Sequence, residues 1–176
     1  MTIRNFAQML EAARERAPKR VAIVGGGQRQ TLHAARMARG IGLAQCILLD
    51  SPARLKSIAE EEGIDLASME LIDEGDMIQA AYRAVEMVHT EQADLVMNGR
   101  ALPVELMKAA LDRDKGLRIG RVISDVSIFE IPDFDRLIMI SDVAIVVSPN
   151  LAQKVAIVQN AIDTAIELGI EQPKVA

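Results

Sequence analysis

Three places in the sequence combine residue types that could do chemistry. The first is Asn98-Gly99-Arg100, which closes the predicted strand Asp94 to Met97. A glycine lets a ligand come close to the backbone, and an arginine can hold a phosphate through a planar fork of N–H groups. Lys108 follows further along the chain. In open α/β sheets ligands bind beyond the carboxyl ends of strands, so this triplet is a candidate anion site. A solvated turn carrying surface charges fits the same residues.

The second place is the stretch from Gly116 to Lys154, where Ser124, Asp125 and Asp142 sit among strongly apolar neighbours. A carboxylate inside an apolar strand needs a partner or a function. Either these side chains face a ligand, or they cap turns and pair with Arg121 and Arg136. The third place is Gly25-Gly26-Gly27, after the apolar run Val21 to Val24. Glycines at a strand–helix turn admit a phosphate to helix N–H groups. Asp50 ends the next strand, near where a dinucleotide-binding fold places its ribose-binding acid. The third glycine of that fingerprint is replaced by Gln30, and the Lys-Ser/Thr pair of a P-loop is missing. A nicotinamide-dependent oxidoreductase is therefore the weaker alternative, and an ordinary turn is the plainer reading. His33 and His89 lack a second ligand at metal spacing and read as partly exposed helix residues. The single cysteine, Cys46, lies in an apolar run and reads as buried filler, as do the nine methionines.

The elements that must position these residues follow an alternating pattern. Strands are predicted at Val21–Val24, Ala44–Leu49, Ser68–Ile72 and Asp94–Met97. Helices are predicted at Gln30–Gly40, from Ser51-Pro52 to Gly63, over the Met77, Ala80, Ala81, Ala84, Val88 face, and at Pro103–Leu111. Four strand–helix units in a row predict a parallel sheet covered by helices on both sides. The segments Arg121–Ile131 and Asp135–Val147 are rich in β-branched residues and read as adjacent strands or a hairpin. Ile131-Pro132-Asp133-Phe134 is the turn between them. Asn150 is a natural N-cap for a last helix, with Gln153 completing a capping box and Leu151, Val155, Val158, Ile162 and Ala165 as its buried face. Pro173-Lys174-Val175-Ala176 echoes the start of the first strand, so a new strand is expected there.

Composition narrows the function classes. Half of the 176 residues are apolar, enough for a sizeable core. With three Phe, one Tyr and no Trp, stacking platforms for nucleic acid are not expected. A net charge of −5 without a basic stripe argues against a phosphate-backbone binder. No stretch reads as membrane-spanning, the first twenty residues lack the apolar region of a signal peptide, and one cysteine favours a reducing compartment. A cytoplasmic protein with no nucleic acid or membrane partner is the resulting expectation.

The motif order in the second stretch carries a resemblance. Gly116-Leu117-Arg118 with Gly120-Arg121-Val122 and Ser124 comes first, then Phe129-Glu130-Ile131-Pro132, Asp135-Arg136-Leu137, Ser141-Asp142, Pro149-Asn150-Leu151 and Gln159-Asn160-Ala161. This order resembles the phosphate butyryltransferase branch of the phosphate acetyl/butyryltransferase family, and Asp94 to Gly99 is similar to the strand before it. The resemblance runs through essentially the whole chain but covers only a little more than half of a family member. It implies transfer of an acyl group between coenzyme A and inorganic phosphate. The implied fold is a two-domain α/β protein like isocitrate or isopropylmalate dehydrogenase, usually a dimer, with substrates in a cleft. Coenzyme A is then a substrate, and no metal or prosthetic group is required.

On that reading the first α/β domain covers residues 1–148, and 149–176 form a connecting helix and the start of a truncated second domain. Asn98, Gly99, Arg100 and Lys108, with Arg121, Ser124, Asp125 and Asp142, would line one wall of the cleft and bind substrate. The family's base lies in the later, missing part, so no catalytic residue is assigned and no turnover is expected from this chain alone. Departures from the family pattern fall at Asn98, where Lys is usual, at Ile119 for Thr, Asp125 for His, Val146 for Asn and Lys108 for Arg. They keep a second possibility open: a non-catalytic ligand-binding or partner subunit derived from the family.

Overall fold

The computed structural model describes residues 2–176 and gathers them into two compact units, one of Arg16–Arg118 and one of the residues up to Glu15 with Ile119–Ala176. The first unit is built on four parallel strands, β1 (Lys19–Val24), β2 (Ala44–Asp50), β3 (Glu70–Asp73) and β4 (Leu95–Asn98), in the order β3-β2-β1-β4. In register, Val24 lies beside Leu49 and Asn98. The carboxyl ends of β1, β2 and β4 therefore meet at one edge.

Side-chain alternation along β1 explains why helices cover both faces. Val21 and Ile23 pack with Leu32 and Ala35 of one helix and Leu55 and Ala59 of the next. Ala22 and Val24 pack on the opposite face with Ala80, Ala81, Ala84 and Val85, and with Ala109. Each fully buried Val, Leu or Ile contributes about 1.5–3 kcal/mol relative to exposure, so both faces hold the sheet. The helices are, in that order, α2 (Arg29–Gly40), α3 (Pro52–Glu62), α4 (Met77–His89) and α5 (Pro103–Ala110), numbered after α1 (Phe6–Arg14) of the second unit. Ser51 caps α3 with Pro52 in its first turn, and Gly63 closes it in the left-handed region at φ 60°. Asp76 caps α4 by accepting the N–H groups of Ile78 and Gln79.

The second unit holds α1, a two-stranded antiparallel hairpin of β5 (Ser127–Glu130) and β6 (Leu137–Ile140), and α6 (Leu151–Glu167). The predicted turn is present, with Phe134 N–H donating to the Ile131 carbonyl at 3.1 Å and Asp133 at φ 66°. Glu130 Oε2 accepts the Phe6 N–H at 2.7 Å, tying the hairpin to the start of α1. Asn150 and Gln153 form the expected reciprocal capping box, both bonds at 2.9 Å.

Three expectations are corrected. The hairpin strands are four residues each, much shorter than 121–131 and 135–147. Asp142 draws three successive backbone N–H groups onto its carboxylate, and local bonds of that kind compete with a strand ladder. The buried face of α6 is also different. Ile157 and Ala165 are buried, whereas Leu151 is 78% and Val155 62% exposed. The helix carries apolar residues on two stripes, and periodicity alone does not say which one faces the core. Finally, residues 173–176 are not in a strand. No helix among the described residues is long and apolar enough to cross a membrane.

Candidate functional site

The carboxyl edge of the parallel sheet is tied together by one buried carboxylate. Asp50, the last residue of β2, is fully buried. Its Oδ2 accepts from Gly27 N–H at 2.9 Å and from Arg100 Nε at 2.8 Å. Its Oδ1 accepts from Ser51 N–H at 2.8 Å and from Arg100 Nη2 at 2.7 Å. Burial pushes the Asp50 carboxyl up, but Arg100 and the two backbone N–H groups outweigh it and hold it below the usual carboxylate range. Arg100 is correspondingly held further in its charged form, by Asp50 first.

The glycines make this edge possible by close packing. Gly25 adopts φ 72°, and a Cβ there would meet the Cγ of Arg100. A Cβ on Gly99 would collide with the Gly25 carbonyl oxygen. The loops after β1 and β4 are thus laid directly on one another, with Gly99 N–H donating to Val24 at 2.8 Å and Arg100 N–H to Gly25 at 3.1 Å. Arg54 Nε closes the other side on the Gly27 carbonyl at 2.7 Å. The plainer reading of the glycine run, a strand–helix turn, accounts for this geometry. Asp50 is no ribose-binding acid here, because four donors already occupy it.

Asn98 ends β4 beside this knot. Its Nδ2 donates to the Ala101 carbonyl at 3.1 Å, and its Oδ1 is buried with no hydrogen-bond partner among the described residues. Arg100 spends Nε and one Nη2 hydrogen on Asp50. Three of its five N–H groups remain, on a side chain 28% exposed. Lys108 is exposed on α5 and makes no ion pair among the described residues. Asn98, Gly99 and Arg100 are thus brought together at the strand end, with Lys108 on the helix that follows.

The remaining sequence candidates lie in the second unit. Asn160 of α6 donates to the Val122 carbonyl at 2.9 Å and to Ser124 Oγ at 2.8 Å. Asp125 accepts from Ser127 Oγ at 2.8 Å, and its carbonyl accepts from Ser141 Oγ. Asp142 caps the turn at Ala144, Ile145 and Val146. Burial raises its carboxyl, and these backbone donors bring it below the ordinary range. Arg121 pairs with Asp163 at 2.9 Å, and Arg136 stands over the Phe134 ring at 5.6 Å. The turn-capping reading therefore holds for Asp142, while neither arginine pairs with Asp125 or Asp142.

Elsewhere, Cys46 is buried, and burial pushes its thiol up against the opposing influence of Arg39. His33 Nε2 lies 2.8 Å from Glu62, an ion-pair geometry that sequence spacing did not reveal. A surface hollow of about 340 Å³, lined in part by Arg20, Arg39 and Glu70, lies away from the β4 end. Its charges oppose one another, and Arg20 is already paired with Asp94. No group of three or more metal-ligating side chains occurs among the described residues.

The fold defines an α/β protein with a mainly parallel sheet and a bonded cationic residue at its carboxyl edge. The family described as Phosphate acetyl/butaryl transferase matches residues 75–176, more than half of the chain. The chain belongs to this family. It is 36% identical over 174 residues to the phosphate butyryltransferase of Clostridium acetobutylicum, covering 99% of this chain and 58% of that protein. It is 32% identical to the phosphate acetyltransferase of Rhizobium meliloti, covering 97% and 54%. Among solved structures, a branched-chain phosphotransacylase from Enterococcus faecalis V583 superposes with a TM-score of 0.74 at 25% identity, over 88% of this chain and 54% of that one. A phosphotransacetylase from Streptococcus pyogenes reaches 0.79 over 95% and 60%, at an identity of 16% that speaks for the fold alone. The chain spans a little over half the length of the curated relatives it matches.

Proposed function

We propose that this chain is part of a phosphate acyltransferase that moves an acyl group between coenzyme A and inorganic phosphate. The observation that carries this reading is family membership joined to the β4 strand end, where a guanidinium keeps unspent donors at the edge that parallel sheets use for ligands. In the forward direction a phosphate oxygen attacks the thioester carbonyl, and the coenzyme A thiolate leaves. Arg100 holds phosphate oxygens through its three remaining N–H groups, and Lys108 adds positive charge. Charge-assisted bonds of this type stabilise the phosphate and the oxyanion that develops beside it. Asn98 and Gly99 shape the strand end. Arg121, Ser124, Asp125 and Asp142 belong to the same proposal as substrate-lining residues, each already oriented by a neighbour. Coenzyme A is a substrate here, with no prosthetic group in the transfer.

The isocitrate dehydrogenase-like classification, a first domain over 1–148, a homodimer and a cytoplasmic location complete the reading. Because the chain spans 58% of its butyryltransferase relative, reactant binding without turnover is the expected behaviour of these residues alone. A thiol-release assay with acetyl-CoA or butyryl-CoA and phosphate tests this. No release above the uncatalysed background is expected. Robust, phosphate-dependent release from the 176-residue chain would mean that the base lies within it.

A further inference from the structure

The guanidinium of Arg100 is rigid and planar, and the edge it presents to Asp50 comprises Nε and one N–H of Nη2. Because Asp50 is fully buried and bonded on both oxygens, that edge cannot rotate without breaking two charge-assisted bonds. The opposite end of the plane, including both hydrogens of Nη1, is thereby given a fixed direction. The carboxylate that sets this direction sits on a different strand, fifty residues earlier, and is itself held by Gly27 and Ser51 N–H groups. We propose that Asp50 is a positioning residue, which orients Arg100 so that its free donors form a preorganised site for a phosphate-type oxyanion. The inference rests on the reading of the β4 strand end as the phosphate site. It adds that charge alone at position 100 is insufficient: the fork must be anchored from β2.

Arg39 and Lys108 carry positive charge without such an anchor among the described residues. Arg100 differs in having its geometry fixed before any ligand arrives, which removes part of the ordering cost of binding. The glycine packing supports the same conclusion. Gly25 and Gly99 bring the loops after β1 and β4 into backbone contact, which places the Arg100 side chain across the end of β1 and onto β2.

Titration of the purified chain with inorganic phosphate, followed by calorimetry, tests the proposal on four variants: Arg100→Gln, Asp50→Asn, their double substitution, and Arg100→Lys. Arg100→Gln and Asp50→Asn are each expected to weaken phosphate binding by about tenfold, a loss of about 1.4 kcal/mol. The double variant should be no weaker than Arg100→Gln, because Asp50 acts only through Arg100. Arg100→Lys keeps the charge and the intact Asp50 but loses the fork, and it should bind as poorly as Arg100→Gln. Unaltered binding by Arg100→Lys overturns the proposal even if Asp50→Asn does not fold. So does an Asp50→Asn loss that adds in full to the Arg100→Gln loss. Unchanged binding by Arg100→Gln would instead remove the phosphate reading of the strand end on which the proposal rests.

Discussion

Asp50 accepts four hydrogen bonds in a place with no access to water, two from Arg100 and one each from the Gly27 and Ser51 N–H groups. Removing the carboxylate leaves the Arg100 charge and two backbone N–H groups without partners. Breaking one side of a buried ion pair costs about 3–5 kcal/mol, and the partial exposure of Arg100 places this one near the lower end. Asp50→Ala should therefore lose about 3 kcal/mol in urea unfolding. The depressed carboxyl also fixes a pH dependence. Its folded value lies below its unfolded value, so the unfolded chain binds the proton more readily. The stabilisation is complete above the unfolded carboxyl value of about 4 and disappears as the pH falls through the folded value. Acid unfolding followed by circular dichroism should show a shallower loss of stability below about pH 4 for Asp50→Asn than for the unmodified chain. Both Asp50 and Arg100 stood out in the sequence, one as a ribose ligand and one as a phosphate fork. Their pairing did not, because two residues fifty positions apart carry no spacing signal. The available clue was topological: Asp50 ends β2 and Arg100 follows β4, the two strands on either side of β1 and its glycine-rich turn.

The elements of the first unit were largely legible because each carries a local cause. Its strands are short apolar runs, Ser51-Pro52 and Gly63 bracket α3, and the spacing of Ala80, Ala81 and Ala84 marks the buried side of α4. The second unit was less legible. Side-chain bonds to backbone shorten its hairpin, and two apolar stripes compete on α6. Substitution can separate those stripes. Ile157→Ala should cost about 2–4 kcal/mol by thermal or urea unfolding, as a buried truncation does. Leu151→Ser and Val155→Ser should each fall within about 0.5 kcal/mol of the unmodified chain, as exposed changes do. A large loss at Leu151 would mean that the exposed stripe is covered. Asn150→Ala removes one half of a capping box and should cost about 1 kcal/mol.

At the scale of the whole molecule, the family and the parallel sheet are established, and the proposed chemistry depends on what the carboxyl edge of that sheet holds. The glycine run admitted a cofactor turn, but its plainer reading as an ordinary turn accounts for the observed loop packing. The polar candidates of the sequence gave no indication of which of them would be spent on the fold itself. Asp142 is spent on a turn, Ser124 is held by Asn160, and Arg121 is held by Asp163. Arg100 keeps donors to spare. Backbone amide NMR of the 19.2 kDa chain during titration with inorganic phosphate tests this assignment most directly. Saturable shifts are expected, centred on Gly99, Arg100 and Ala101, with smaller ones at Gly25 to Gly27. Saturable shifts confined to other residues, or none at all, would contradict it.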